Sequence, residues 1–184
     1  MHSADNARDN IFLVGMMGAG KTTVGRQLAR RLKLRFVDSD HEIEARTGVK
    51  IPVIFEIEGE AGFRKRESQV LAELAEEHGL VIATGGGAVL RPENRACLAS
   101  HGTVIYLAVP PQYLWERTRH DTNRPLLQVE NPRKRIEELH AQRDPLYREV
   151  ADIVIPGGRI GQGTVLKLIE KELKERCQVF AAST

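Results

Sequence analysis

Apolar residues in this chain come in short continuous runs rather than in alternation with polar ones. Residues 11–14, 34–37, 80–83, 104–107 and 153–155 each read as a strand buried on both faces, the pattern of a parallel sheet. Between most of these runs the period lengthens to that of a helix. Over residues 22–32, Val24, Leu28 and Leu32 recur at i, i+4 and i+8, one stripe along one face. Phe63, Val70, Leu71 and Leu74 mark a second helix over 60–78, which closes on His78-Gly79, a cation followed by a C′ glycine. Pro92, Pro110 or Pro111, and Pro132 stand where further helices open, because proline suits the first helical position. Five strands alternating with helices predict an α/β domain.

The segment 117–143 departs from this regularity. It carries Arg117, Arg119, Arg124, Arg133, Lys134, Arg135 and Arg143, while Asp121-Thr122-Asn123 and Pro125 break any helix in its first half. It reads as a basic, mobile loop followed by a helix. On that helix Arg133, Lys134 and Arg135 form a solvated face paired with Glu137 and Glu138.

At 184 residues the chain suits one sizeable core and one domain. Its 27 Lys and Arg against 25 Asp and Glu leave a net charge of +2, which argues against a histone-like binder of nucleic acid. Cys97 and Cys177 lie far apart with no metal-ligand or CxxC spacing, so zinc and thioredoxin readings fall away. The start is polar and lacks the apolar stretch of a secretory signal, and no run approaches the roughly 18 apolar residues of a membrane span. The expected location is the cytoplasm, with neither nucleic acid nor membrane as partner.

Gly15-Met16-Met17-Gly18-Ala19-Gly20-Lys21-Thr22 matches G-x-x-x-x-G-K-[ST], directly after a predicted strand and directly before a predicted helix. Glycines without Cβ let backbone N–H groups converge on phosphate oxygens, and the helix adds its positive end. Gly18, Ala19, Gly20, Lys21, Thr22 and Thr23 are therefore candidate ATP contacts, with Lys21 between the β- and γ-phosphates and the Thr22 hydroxyl on Mg²⁺. Met16 and Met17 read as packing residues. The second strand runs into Asp38-Ser39-Asp40, where i, i+2 spacing on extended backbone would turn both carboxylates to one side. One suits Mg²⁺, and the other suits a substrate hydroxyl whose proton it accepts. The alternative is structural, with Ser39 or Asp40 capping the helix that follows.

The P-loop, Asp38-Ser39-Asp40, Phe63-Arg64-Lys65-Arg66-Glu67, Gly85-Gly86-Gly87-Ala88 and Arg124-Pro125-Leu126-Leu127 together resemble the ordered motif set of shikimate kinases, from about residue 10 to 171. The resemblance implies a nucleoside-monophosphate-kinase-like P-loop fold, a five-stranded parallel sheet in the order 2-3-1-4-5, and conversion of ATP and shikimate to ADP and shikimate 3-phosphate. It also assigns residues. Asp40 takes the shikimate hydroxyls as catalytic base, and Asp38 joins Thr22 at Mg²⁺. Arg64 and Arg143 hold the shikimate carboxylate, and Gly85, Gly86 and Gly87 line the substrate, with the Gly86 amide presented to it. Arg124 is the lid arginine acting on the transferred phosphoryl group, with Lys21 as its catalytic partner. Arg117 stacks on adenine. The loop over 156–162 contacts adenine through Arg159, Ile160 or Gln162, of which Arg159 is taken as the candidate. Two of these assignments have independent physical support: guanidinium forks bind carboxylates bidentately, and Glu67 at i+3 can hold the Arg64 fork in place.

The expected organisation is a disordered arm over 1–9, one domain over 10–176 with a shikimate-binding region near 39–67 and a lid near 118–131, and a tail over 177–184. The expected state is a monomer. Rival readings are a gluconate or nucleoside monophosphate kinase, or a non-catalytic nucleotide-binding regulatory domain.

Overall fold

Five parallel strands form one sheet in the order β2-β3-β1-β4-β5, the order implied by the resemblance. They are β1 (Asn10–Val14), β2 (Arg35–Asp38), β3 (Leu80–Ala83), β4 (Gly102–Ala108) and β5 (Ile153–Pro156). The helices between and after them are α1 (Lys21–Leu32), α2 (Ser39–Thr47), α3 (Ile51–Ala75), α4 (Pro92–His101), α5 (Pro111–Thr118), α6 (Pro132–Val150) and α7 (Gln162–Ala182). This computed structural model describes the backbone of residues 10–182 and the side chains of residues 10–177. The arm expected over 1–9 lies outside the described residues.

All of β1, β3 and most of β4 are buried, which is why their sequence shows no alternation: helices cover both faces of the sheet. Helices α1 and α7 pack on each other and on β2, β3 and β5, while α3, α4 and α6 form a second group reaching β4. Where α1 meets the sheet, a Cβ on Gly25 would collide with Phe36 and press on Leu13, so this glycine sets the close approach. The pairing register puts the three carboxyl ends that matter side by side. Leu13 pairs with Ala83 and Ile105, and Ala83 pairs with Asp38, so the segments that leave β1, β2 and β3 share one edge.

Five local expectations are corrected. β2 and β5 are the edge strands of the sheet and are partly exposed, where strands buried on both faces were expected. The α1 stripe stops at Leu28 and Ala29; Leu32, the helix's last residue, is 37% exposed because the left-handed Lys33 turns the chain away there. The helix expected over 60–78 is longer at its start and shorter at its end. It begins at Ile51, breaks at Gly59 (φ 69°, ψ −178°) and finishes at Ala75, so His78 and Gly79 belong to the turn into β3. Asp40 is not on extended backbone: β2 ends at Asp38, whose own side chain caps α2 in place of Ser39 or Asp40. Finally, α7 continues through 177–182, where a tail was expected, because no glycine or proline follows Gly163 to stop it. Helices α4, α5 and α6 do open on Pro92, Pro111 and Pro132. Arg133 and Arg135 pair with Glu137 and Glu138, both at 3.5 Å.

Candidate active site

The loop leaving β1 turns through Gly18 and Gly20, both at positive φ, and delivers the chain into α1. Gly20 is the N-cap and carries no side chain to satisfy the first-turn N–H groups, and no acid stands in that turn. The helix end is thus left as an anion cradle. Lys21 Nζ donates to the Gly15 and Met16 carbonyls at 2.7 and 2.9 Å, within the loop itself. Burial lowers the Lys21 pKa to about 8; Asp40 and Asp38 oppose that shift, while Arg124 and Arg143 add to it.

Asp38 works with both oxygens. Oδ1 accepts from the Asp40 and His41 amides at 3.0 and 3.3 Å, capping α2, and Oδ2 accepts from the Thr22 hydroxyl at 2.6 Å. The first turn of α2 places Asp40 behind this pair, where its Oδ1 is buried without a protein partner. Burial raises the Asp40 pKa to about 6, helped by Glu67 and Asp38 and opposed by Lys21 and Arg64. Thr22 and Asp38 present two hard oxygen donors beside the phosphate loop. That set fits Mg²⁺, which keeps most of its shell for water and phosphate and needs one or two protein oxygens. Among the described residues no cluster of three or more acidic, histidine or cysteine side chains could hold a metal unaided.

A cleft of about 410 Å³ opens beside Asp40 and brings Arg64, Arg143, Arg124 and the three glycines after β3 together. Arg64 Nη1 meets Glu67 Oε2 at 2.7 Å and its Nη2 meets Glu60 at 3.2 Å. A Cβ on Gly87 would overlap the Arg64 guanidinium, and one on Gly85 would overlap Glu67 and crowd Asp40, so these glycines make room for the charged groups. The Gly85 amide donates to Ser39 Oγ at 3.1 Å, tying this loop to α2. Ile51, Pro52, Phe55 and Phe63 form an apolar wall, with the two phenylalanine rings 4.8 Å apart. Asp40 Oδ1, Arg64 Nε, Glu67 Oε1 and Arg143 Nε are all buried without a protein partner. Such a concentration of unpartnered polar atoms in one place marks a site built for a polar ligand.

A second cavity of about 280 Å³ lies on the other side of the phosphate loop, between Gly18, Thr23, Val109, Gly157 and Gln162. Arg117 crosses its rim, donating to the Gly18 carbonyl at 3.1 Å and the Gly158 carbonyl at 3.0 Å.

The family model described as shikimate kinase matches residues 17–174. The chain belongs to the shikimate kinase family. It is 68% identical over 164 residues to a shikimate kinase from Aromatoleum aromaticum, covering 89% of this chain and 94% of that one. It is 66% identical over 166 residues to one from Ralstonia nicotianae, covering 90% and 86%. The structure of the shikimate kinase from Acinetobacter baumannii in complex with shikimate matches with a TM-score of 0.86 at 52% identity, covering 93% of this chain and 94% of that one. A gluconokinase from Sinorhizobium meliloti matches with a TM-score of 0.60 at 14% identity, which shows a common fold alone. The shikimate kinase reading therefore stands over the gluconate alternative.

In this shikimate kinase Asp40, Arg64, Gly85, Gly86, Gly87, Arg124 and Arg143 line the first cleft, and Gly18, Ala19, Gly20, Thr23 and Arg117 line the second. Arg124 reaches the first cleft from the segment between α5 and α6, where Asp121 Oδ2 holds its Nε at 2.8 Å. Arg159 joins neither cavity: its side chain is exposed, while Ile160 and Gln162 of the same loop line the second. No local pattern in the sequence marks Phe55 or Pro52, which reach the cleft from the stretch of α3 before its break at Gly59. Tyr147 also escapes such a reading, although its i+4 spacing from Arg143 puts it on the same face of α6.

Proposed function

We propose that the two cavities divide the reaction of this kinase between them: ATP in the second, shikimate in the first, and the phosphate loop between. The enzyme transfers the γ-phosphoryl group of ATP to the 3-hydroxyl of shikimate, releasing ADP and shikimate 3-phosphate. The single observation that carries the division is the buried, unpartnered Asp40 Oδ1, set in the acceptor cleft and coupled electrostatically to Lys21 of the phosphate loop.

Asp40 accepts the proton of the attacking hydroxyl; a carboxyl with a pKa near 6 is ionised at neutral pH yet basic enough to take it. Arg64 and Arg143 hold the shikimate carboxylate, which satisfies cations otherwise left with unpaired nitrogens. The ring lies against Phe55 and Phe63. Backbone N–H groups over residues 18–23 hold the phosphates, Lys21 turns from its loop carbonyls to the β- and γ-oxygens, and Arg117, Ile160 and Gln162 bound the base. Thr22 and Asp38 would hold Mg²⁺, which when bound neutralises the β- and γ-phosphate oxygens. Arg124 moves onto the transferred group as the segment 118–131 closes, and residues 39–67 act as the shikimate-binding region of a single domain.

The enzyme works as a monomer in the cytoplasm, where free Cys97 suits a reducing compartment. Sedimentation equilibrium tests the first point, and a stable dimer overturns it. Release of ADP with shikimate, quinate, gluconate and AMP offered in turn tests the acceptor. Turnover is expected with shikimate, and turnover with gluconate or AMP but none with shikimate would overturn the assignment.

A further inference from the structure

Tyr147 is fully buried on α6 and lines neither cavity, yet its hydroxyl donates to the carbonyl of Gly86, in the middle of the three glycines of the acceptor cleft. The Arg143 guanidinium acts electrostatically on the same hydroxyl, favouring its ionised form against the burial that raises its pKa. One phenol therefore bonds a peptide group 61 residues away in the chain and acts on a guanidinium of its own helix, two parts of the same cleft wall. The ring is itself held from behind. It stacks on Tyr106 at 4.9 Å and 30°, and Tyr106 Oη donates to Asp144 at 2.7 Å.

We propose that Tyr147 is a positioning residue for shikimate, fixing the Gly86 peptide and the Arg143 fork relative to each other. The Gly86–Gly87 peptide is trans, so its carbonyl and the Gly87 N–H point in opposite directions. With the carbonyl turned back to a residue behind the wall, the Gly87 N–H is turned forward. A glycine pair has no side chain to hold this orientation, and without the phenol the Gly86 carbonyl loses the side-chain bond that fixes it. On the other side, Arg143 is 2% exposed, and burial lowers its pKa, so a fixed polar neighbour is what keeps the guanidinium aimed at one place. Tyr147 touches no reacting atom and no part of the nucleotide cavity. Its loss should therefore be read in shikimate binding and not in ATP binding.

This inference rests on the proposal that Arg143 holds the shikimate carboxylate, and the experiment separates the two. Dissociation constants for shikimate and for ADP are measured by calorimetry on the full chain and on Tyr147→Phe, Arg143→Lys, the double variant, and Tyr106→Phe as a control. Tyr147→Phe keeps the ring and its stacking. It is expected to weaken shikimate about tenfold and to leave ADP within twofold. The double variant should be no weaker than Arg143→Lys alone. Tyr106→Phe, which removes the bond to Asp144 and leaves the Tyr147 hydroxyl in place, should lower the melting temperature without changing either affinity. Wild-type shikimate affinity in Tyr147→Phe overturns the positioning role, as do fully additive losses in the double variant or an equal loss of ADP affinity. Unchanged affinity in Arg143→Lys instead overturns the carboxylate reading. If Tyr147→Phe does not fold, hydrogen exchange of the Gly87 amide in the unaltered enzyme decides: slowing by shikimate and not by ADP supports the forward-turned N–H, and no slowing by shikimate overturns the proposal.

Discussion

Arg64 Nη1 lies 2.7 Å from Glu67 Oε2, one helical turn away, with both side chains buried. The pair aims a planar fork into the acceptor cleft while Glu60 meets Nη2, and Nε is left without a protein partner. Lysine is a point charge and cannot bond a carboxylate at two oxygens while also meeting Glu67. Arg64→Lys should therefore weaken shikimate by about 10- to 100-fold, the range of a lost charged hydrogen bond, with nucleotide affinity unchanged. Calorimetry with shikimate checks this, and wild-type affinity would end the clamp assignment.

Asp40 sets activity against stability. Its folded pKa of about 6 lies above the ordinary 3.8, so the folded state binds this proton more tightly than the unfolded state. Stability of the ligand-free enzyme therefore falls as pH rises from 3.8 to about 6, by up to about 3 kcal/mol from this group. Asp40→Asn removes the buried charge. It should lower kcat by about 10²- to 10⁴-fold while raising the stability of the ligand-free enzyme at pH 7.5 by about 1–3 kcal/mol. Urea denaturation measures the second effect, and a destabilised variant would contradict it.

The strands, the phosphate loop and the Arg64–Glu67 pair were legible in the sequence because each depends on neighbours a few residues apart. A strand buried on both faces must be apolar throughout, and a phosphate cradle must have glycines at fixed spacing before a helix. What could not be read depends on distant packing. Asp38 rather than Ser39 caps α2 because Thr22, on another element, holds its second oxygen. The break at Gly59 leaves the helical period on either side intact, so α3 reads as one helix beginning later than it does. The contact between Tyr147 and Gly86 joins the third and last interstrand connections of the sheet, and nothing in either stretch names the other.

Two groups in the site titrate within the working range, and they bracket it. Asp40 loses its base form below about pH 6, and Lys21 loses its charge above about pH 8. The profile of kcat/KM should be bell-shaped, with limbs near these two values. Steady-state rates in constant-ionic-strength buffers test it. An acid limb below about pH 4.5, where an unperturbed carboxyl titrates, would remove Asp40 from the role of base.

Arg124 is held by Asp121 at 2.8 Å, on a segment that reaches the cleft edge and is anchored in the core by Leu127. If its charge acts on the transferred group, its absence is felt in the transition state more than in ATP binding. Arg124→Ala should reduce kcat by about 10²- to 10³-fold with little change in KM for ATP. A raised KM with unchanged kcat would make it a ground-state contact instead.

The glycines after β3 are required by what stands beside them, and this can be tested one methyl at a time. A Cβ on Gly87 would overlap three atoms of the Arg64 guanidinium, a group pinned by Glu67 and enclosed by the cleft wall. The fork must give way, because the backbone behind it is tied down by the Leu90 amide on the Gly87 carbonyl at 3.1 Å. Gly87→Ala should therefore weaken shikimate at least tenfold, an effect of about 1.4 kcal/mol or more, with ADP affinity unchanged. At Gly163, in the first turn of α7, an added Cβ meets nothing within 4 Å. There the same substitution should leave both affinities alone and stabilise the helix by up to about 1 kcal/mol. Equal behaviour of the two variants in shikimate titrations would mean that Arg64 can move aside without loss, and that the spacing of Gly87 from the fork does not set the geometry of the acceptor site.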